Sequence, residues 1–307
     1  MNEKFEIIEV PPDQAQRVEA MGTKFKFWYK DKHLGECLYK KSRQNTGEDW
    51  AEKIAAELSE LLNLPHAAYE LALCNGHRGT VSKNFLPPNT SLTHGNEILL
   101  KLIQNYPPAQ EGQKNFYRVS QHRLDVVMDI MELQDVDTPI GWNPPQGIKT
   151  GLDTFIGYLL LDAWIGNTDR HHENWAFLRG SPPRLHLAPS YDHASSLGRN
   201  ESTESMNDRL TTKDQGRSVG GYVEKCRSAF YDKIDDKKPL TTFEAFKKAK
   251  FRKPVPAKIW LDRLGEIRID EVNNFFDRIP DDRISKVAIK FGQKILELNR
   301  NKLLELI

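Results

Sequence analysis

Between residues 24 and 39 the side chains alternate. Lysines interleave with Phe25, Phe27 and Tyr29, and Leu34 to Tyr39 follows after Asp31-Lys32-His33, so a period of two predicts a β-hairpin ending in Lys40-Lys41. The period then changes. Trp50, Ile54, Leu58, Leu61 and Leu62 recur at helical spacing until Asn63-Leu64-Pro65, and Thr46 with Asp49 has capping-box spacing at the start of this helix. Ala67 to Cys74 and Thr80 to Phe85 read as two more strands, split by the turn-forming Asn75-Gly76-His77-Arg78-Gly79. Strand, strand, helix, strand, strand makes a small lobe, residues 1–88, and the stiff Leu86-Pro87-Pro88-Asn89 marks its boundary with a larger one, residues 89–307.

The larger lobe reads mainly as helix. Arg118 to Leu133 is a predicted helix, and Leu152 to Ile165 has the clearest apolar stripe of the chain, closed by Gly166-Asn167. Trp175 to Leu178 and Arg184 to Ala188 pair across Gly180-Ser181-Pro182-Pro183. The span from Gly198 to Pro256 is mostly polar and predicts a long functional loop with a lysine-rich run from Lys247 to Lys253. From Trp260 onward helical periodicity returns and ends in Ile284 to Ile307.

Composition narrows the function classes. With 44 basic and 43 acidic side chains the net charge is +1, which gives no global field for nucleic acid or an anionic membrane. Three scattered cysteines, Cys37, Cys74 and Cys226, form neither a disulfide framework nor a metal knuckle, so a reducing cytoplasm is expected. Met1 to Gln16 is acidic rather than basic and apolar, unlike a signal peptide, and the apolar run Tyr158 to Ile165 is too short to span a bilayer.

Candidate chemistry lies in Asn167-Thr168-Asp169-Arg170-His171-His172-Glu173-Asn174, followed beyond the hairpin by Tyr191-Asp192. An aspartate with an asparagine five residues on can place a base and a metal ligand on one tight loop, and Asp192 adds a second oxygen ligand. That set suits phosphoryl transfer, which needs one base and hard oxygen ligands for Mg²⁺. Adjacent His171 and His172 rarely face one metal, and no second ligand cluster supports zinc. Lys40, ending a strand, can reach phosphates and be steadied by a helix glutamate; the helical wheel favours Glu57 over Glu52. No G-x-x-x-x-G-K-[ST] stretch is present, which argues against a Walker-type ATPase.

These residues carry a resemblance. Asn167 to Asn174 and Leu187-Ala188-Pro189-Ser190-Tyr191-Asp192, with Leu159 to Ala163, the Trp50 to Leu64 helix and Leu38-Tyr39-Lys40, resemble the kinase region of HipA-like serine/threonine kinases over most of residues 20 to 200. The resemblance implies an α+β, two-lobed protein-kinase-like fold with a β-rich N-lobe carrying one helix and a mainly helical C-lobe. It implies Asp169 as catalytic base, Asn174 and Asp192 as Mg²⁺ ligands, Lys40 on the ATP phosphates and His171 near the γ-phosphate. Val81 to Phe85, with Ser82 and Phe85, would form the hinge against adenine. Aligned by its Leu-x-Glu-Leu-Leu-Asn-Leu ending, the helix offers Glu52, so Glu52 and Glu57 both stay open as partners of Lys40.

The implied activity is ATP- and Mg²⁺-dependent phosphorylation of a protein, a translation factor or aminoacyl-tRNA synthetase in toxin-type relatives, with self-phosphorylation near Thr46 or Ser195 to Ser205. Only about twenty residues precede the first expected strand, so the family's additional N-terminal subdomain, and part of what binds an antitoxin-like partner, is expected to be missing. Two readings from other classes stand beside it. One is a lipid or small-molecule kinase, since phosphoinositide kinases resemble this site through their own D-R-H-x-x-N; the other is a catalytically silent nucleotide-binding module.

Overall fold

The computed structural model describes residues 3–18, 25–108, 119–180 and 184–307. The N-terminal lobe comprises β1 (Ile7–Glu9), β2 (Arg17–Val18), β3 (Lys26–Asp31), β4 (Gly35–Lys41), α1 (Glu48–Leu61), β5 (Tyr69–Cys74) and β6 (His77–Lys83). Its described strands lie in the order β1-β5-β6-β4-β3-β2, with β1 parallel to β5 and the other pairs antiparallel. Asn75 and Gly76 both have positive φ, the conformation that a two-residue turn between twisted strands demands, so β6 begins at His77 rather than Thr80. Strands β1 and β2 escape the sequence reading because each offers only two or three residues, too few to show a period.

The C-terminal lobe follows with β7 (Ser91–His94), α2 (Gly95–Leu102), α3 (Leu124–Leu133), α4 (Gly151–Ile165), β8 (Ala176–Arg179) and β9 (Leu185–Leu187). Strands β7, β8 and β9 form a small antiparallel sheet. Helix α3 starts at Leu124, six residues after its expected start, and Arg118 lies outside the described residues, as does the turn at 181–183. The lobe is completed by α5 (Thr203–Thr211), α6 (Val219–Val223), α7 (Thr242–Arg252), α8 (Pro254–Glu266), α9 (Ile269–Arg278) and α10 (Lys286–Leu304). The expected long loop from Gly198 to Pro256 is instead interrupted by α5, α6, α7 and the start of α8. The lysine-rich run lies on α7, where Ala245, Phe246 and Ala249 are buried and the lysines cover the other face.

Helix α4 is the axis of this lobe. Thr150 caps its start through the Asp153 N–H at 3.1 Å, and Gly166 closes it at φ 65°, a left-handed position that costs glycine nothing. From Leu152 to Ile165 it is buried on nearly every side, against α1, α3, α7, α8 and α10. At Gly157 a Cβ would stand 2.7 Å from the Trp260 ring, so the missing side chain is what lets α8 approach.

One apolar core runs from Trp50, Ile54 and Leu58 of α1 through Phe155 and Leu159 of α4 to Phe291 and Ile295 of α10. Helix α1 thus belongs to both lobes. It has no capping box: Gly47 is its N-cap, the Thr46 hydroxyl donates to the Arg43 carbonyl at 2.9 Å, and Asp49 accepts from Arg283 at 3.0 Å. A buried cation has recruited the residue expected to cap. Among the described residues no helix is long and apolar enough to cross a membrane.

Candidate active site

Asp162 is the charged residue in the buried stretch of α4 after its first turn, and it builds the loop that follows. Its carboxylate accepts from Arg170 Nε and Nη2, both at 2.8 Å, and from Asn167 Nδ2 at 2.8 Å. Arg170 Nη1 in turn donates to the Asn174 carbonyl at 3.0 Å. Both partners of this bidentate pair are buried, and although burial opposes the charge on Arg170, Asp162 outweighs it and holds the pKa above its usual value. The loop closes on itself: Asn174 Nδ2 donates to the Asp169 carbonyl at 2.6 Å, and Asn167 Oδ1 accepts from the Asp169 N–H at 3.2 Å. Asp169 and Asn174 are thereby fixed relative to each other while the Asp169 side chain stays about half exposed.

Tyr191 and Asp192 arrive from the far end of β9. Asp192 has φ 60°, a conformation aspartate tolerates better than most residues but still at a cost. The surroundings hold it there, for its N–H donates to the Tyr69 hydroxyl at 3.1 Å and the next two N–H groups, of His193 and Ala194, donate to Glu52 at 2.7 and 3.0 Å. Glu52 is therefore the site's helix glutamate, and it grips backbone rather than Lys40. Glu57, which the wheel favoured, pairs with Lys53 at 2.8 Å. The wheel failed because Glu48, Asp49, Glu52 and Lys53 are all buried, so this helix has no solvated face there.

Lys40 reaches across from β4 to Asp192 at 3.1 Å. Burial works to lower its pKa, but Asp192, with Tyr69 and Glu52 behind it, raises it further than burial lowers it, so Lys40 is charged. The two histidines take different positions. His171 lies in the cleft wall, neutral, its pKa pushed down to about 4 by burial, while His172 turns inward to the Tyr106 hydroxyl at 2.5 Å. Among the described residues no three of His, Cys, Asp and Glu converge on a metal position.

Lys40, Ser82, Phe85, Asp169, His171, Asn174 and Asp192 all line one cleft of about 900 Å³ between the sheet and the helical lobe. Ser82 is in β6, and the Phe85 ring stacks on Tyr191 at 5.8 Å. Ser195, noted in the sequence only as a candidate self-phosphorylation site, and Arg199, which the sequence reading did not single out, complete the centre. Ser195 Oγ donates to Asp169 Oδ2 at 3.1 Å and accepts from Arg199 Nη2 at 2.8 Å, and Arg199 is anchored by Glu48. Asp162 was visible as a lone charge within a buried helix; Arg199, in a polar stretch, carried no such signal.

No protein-family model and no curated protein matches the chain. Solved structures do. The Helicobacter pylori proinflammatory kinase CtkA superposes with a TM-score of 0.67 at 17% identity, covering 98% of this chain and 99% of that one. HipA of Shewanella oneidensis, solved with HipB and operator DNA, gives 0.56 at 10% identity, covering 94% of this chain and 67% of that one. At such identities the likeness is one of fold. The chain has the two-lobed kinase-like fold of these proteins, and its resemblance to HipA-like kinases extends from the loop motifs to the architecture.

Proposed function

We propose that this chain transfers the γ-phosphoryl group of ATP, with Mg²⁺, to a serine or threonine hydroxyl of a protein, its lobes dividing near residue 88. The observation that carries this is the convergence of Asp169, Asn174, Asp192 and Lys40 on one cleft, with a serine hydroxyl already 3.1 Å from the Asp169 carboxylate. Asp169 would take the proton of an acceptor hydroxyl, a role that its hydrogen bond from the Ser195 hydroxyl supports. Lys40 is charged and aimed at the cleft, ready for phosphate oxygens.

Asn174 and Asp192 would hold Mg²⁺. A carboxamide and a carboxylate oxygen are hard donors of the right kind, and Asp192 already attracts a cation in Lys40. The ion would neutralise charge on the phosphate oxygens. Ser82 to Phe85 would meet the base, where Leu38, Phe85 and Leu92 offer apolar surface. The HipB bound to the Shewanella HipA supports including an antitoxin-like partner in the proposal.

The test is incubation with labelled ATP and Mg²⁺, followed by mass spectrometry of the chain and of a lysate. Asp169→Ala should lose transfer and keep nucleotide affinity, because a base acts in the transition state; near-normal turnover refutes the role. Asp192→Ala should weaken Mg·ATP binding, and unchanged affinity by calorimetry counts against it.

A further inference from the structure

The segment after α6 folds back along the cleft. Ser228 N–H donates to the Leu240 carbonyl at 2.9 Å, Leu240 N–H to the Phe230 carbonyl at 2.8 Å and Tyr231 N–H to the His122 carbonyl at 3.0 Å, so residues 232–239 form a loop on a pinned base. That base is stacked beneath the candidate catalytic loop: the Phe230 ring lies 4.4 Å from His122, which lies 5.8 Å from His172. The wall it builds presents Lys225, Arg227, Lys237 and Lys238 to the cleft and no carboxylate.

Three acidic residues of the same segment are bound elsewhere, and Asp235 does not line the cleft. Glu224 pairs with Lys302, Asp232 with Lys248, and the Asp236 carboxylate accepts from the Lys233 N–H at 2.9 Å. Lys225 and Arg227 meet carbonyl oxygens, of Gly216 and Pro239, and among the described residues none of the four cations is in an ion pair. Four of the segment's cations thus face the cleft and none of its carboxylates does. Four cations without an ion-pair partner in a concave wall favour an anionic occupant. In the kinase reading Lys40, on the sheet side, serves the nucleotide phosphates, which leaves the C-lobe wall for the acceptor.

We infer that the acceptor is an acidic protein segment, its serine or threonine flanked by Asp, Glu or phosphorylated residues that this wall engages; this rests on the kinase reading above. The experiment compares synthetic peptides sharing one serine flanked by Glu, Ala or Lys, with labelled ATP, for the full chain and for K237E/K238E. The Glu peptide should be favoured over the Ala peptide by about tenfold or more in kcat/KM, less so at high salt. The double variant should reverse the order while KM for ATP changes less than about twofold.

Equal use of the peptides, or use of none while the chain labels itself or hydrolyses ATP, overturns the inference and leaves the kinase reading standing. A change in KM for ATP without a change in peptide preference assigns the wall to the nucleotide and also overturns it. So does tight binding of a random RNA that the double variant loses, without peptide preference. Absence of any transfer or hydrolysis removes the kinase reading and the inference with it.

Discussion

Asp162→Ala is the most exacting perturbation of this molecule. The pair it breaks is about 1% exposed on the Arg170 side and 3% on the Asp162 side, with both arginine nitrogens at 2.8 Å. Removing the carboxylate leaves a guanidinium stranded in the interior together with an unpaired Asn167 amide. Breaking a buried pair in this way costs roughly 3–5 kcal/mol. At about 2 °C per kcal/mol for a chain of this size, Tm should fall by about 6–10 °C. An exposed pair of similar length, Lys258–Asp262 at 2.6 Å, provides the control, and Asp262→Ala should cost only about 0.5 kcal/mol or less. Asp162→Ala/Arg170→Met, which removes the charge with its partner, should recover much of the stability. It should not recover phosphotransfer, because Arg170 also holds the Asn174 carbonyl. Equal losses for Asp162→Ala and Asp262→Ala in thermal melts would refute this account of how the loop is built.

Two further outcomes follow from the same site. Ser195→Ala should lower kcat by about tenfold or more, with KM for ATP little changed, because it releases one oxygen of the Asp169 carboxylate; steady-state kinetics with Ser195→Thr as rescue checks it, and an unaffected kcat refutes it. His122 accepts from Trp175 Nε1 at 3.1 Å through Nε2 and faces the Ala229 carbonyl at 3.0 Å with Nδ1, so it is neutral with its proton on Nδ1. Burial first, and His172 second, hold its pKa well below the usual value. A depressed pKa in the folded state means that this stability is complete above about pH 6.5 and is lost as pH falls, with a slope approaching about 1.4 kcal/mol per pH unit. Urea midpoints taken from pH 7.5 downward should fall less steeply for His122→Gln than for the native chain, and parallel curves would contradict the assignment.

Much of this fold was legible because its periods are long. The β3–β4 hairpin, α1, α4 and α10 each span enough residues for period two or 3.6 to show, and each lies close to where its pattern puts it. The polar span failed for the opposite reason. Helix α5 buries Met206 alone and α6 Val219 alone, so their composition resembles loop. At the site, residue types and spacing were enough to gather Asp169, Asn174 and Asp192. Which glutamate matters was not, because a wheel assumes one wet face and α1 has buried carboxylates on its polar side. Asp49 teaches the same lesson: local spacing offered a cap, and Arg283, over two hundred residues away, claimed the side chain.

Arg283 carries a last consequence. It bonds Asp49 of α1 and the Ala72 carbonyl of β5, while the Phe5 N–H donates to the Arg278 carbonyl, so the far end of the chain is buckled onto the back of the sheet. Helix α1 is therefore clamped by the core beneath it, by this buckle behind it, and by the backbone after Asp192 in front. Any outward swing of this helix would have to break the Arg283 bonds and the Glu52 grip on the backbone after Asp192 together, so those contacts bias the molecule toward one setting of α1.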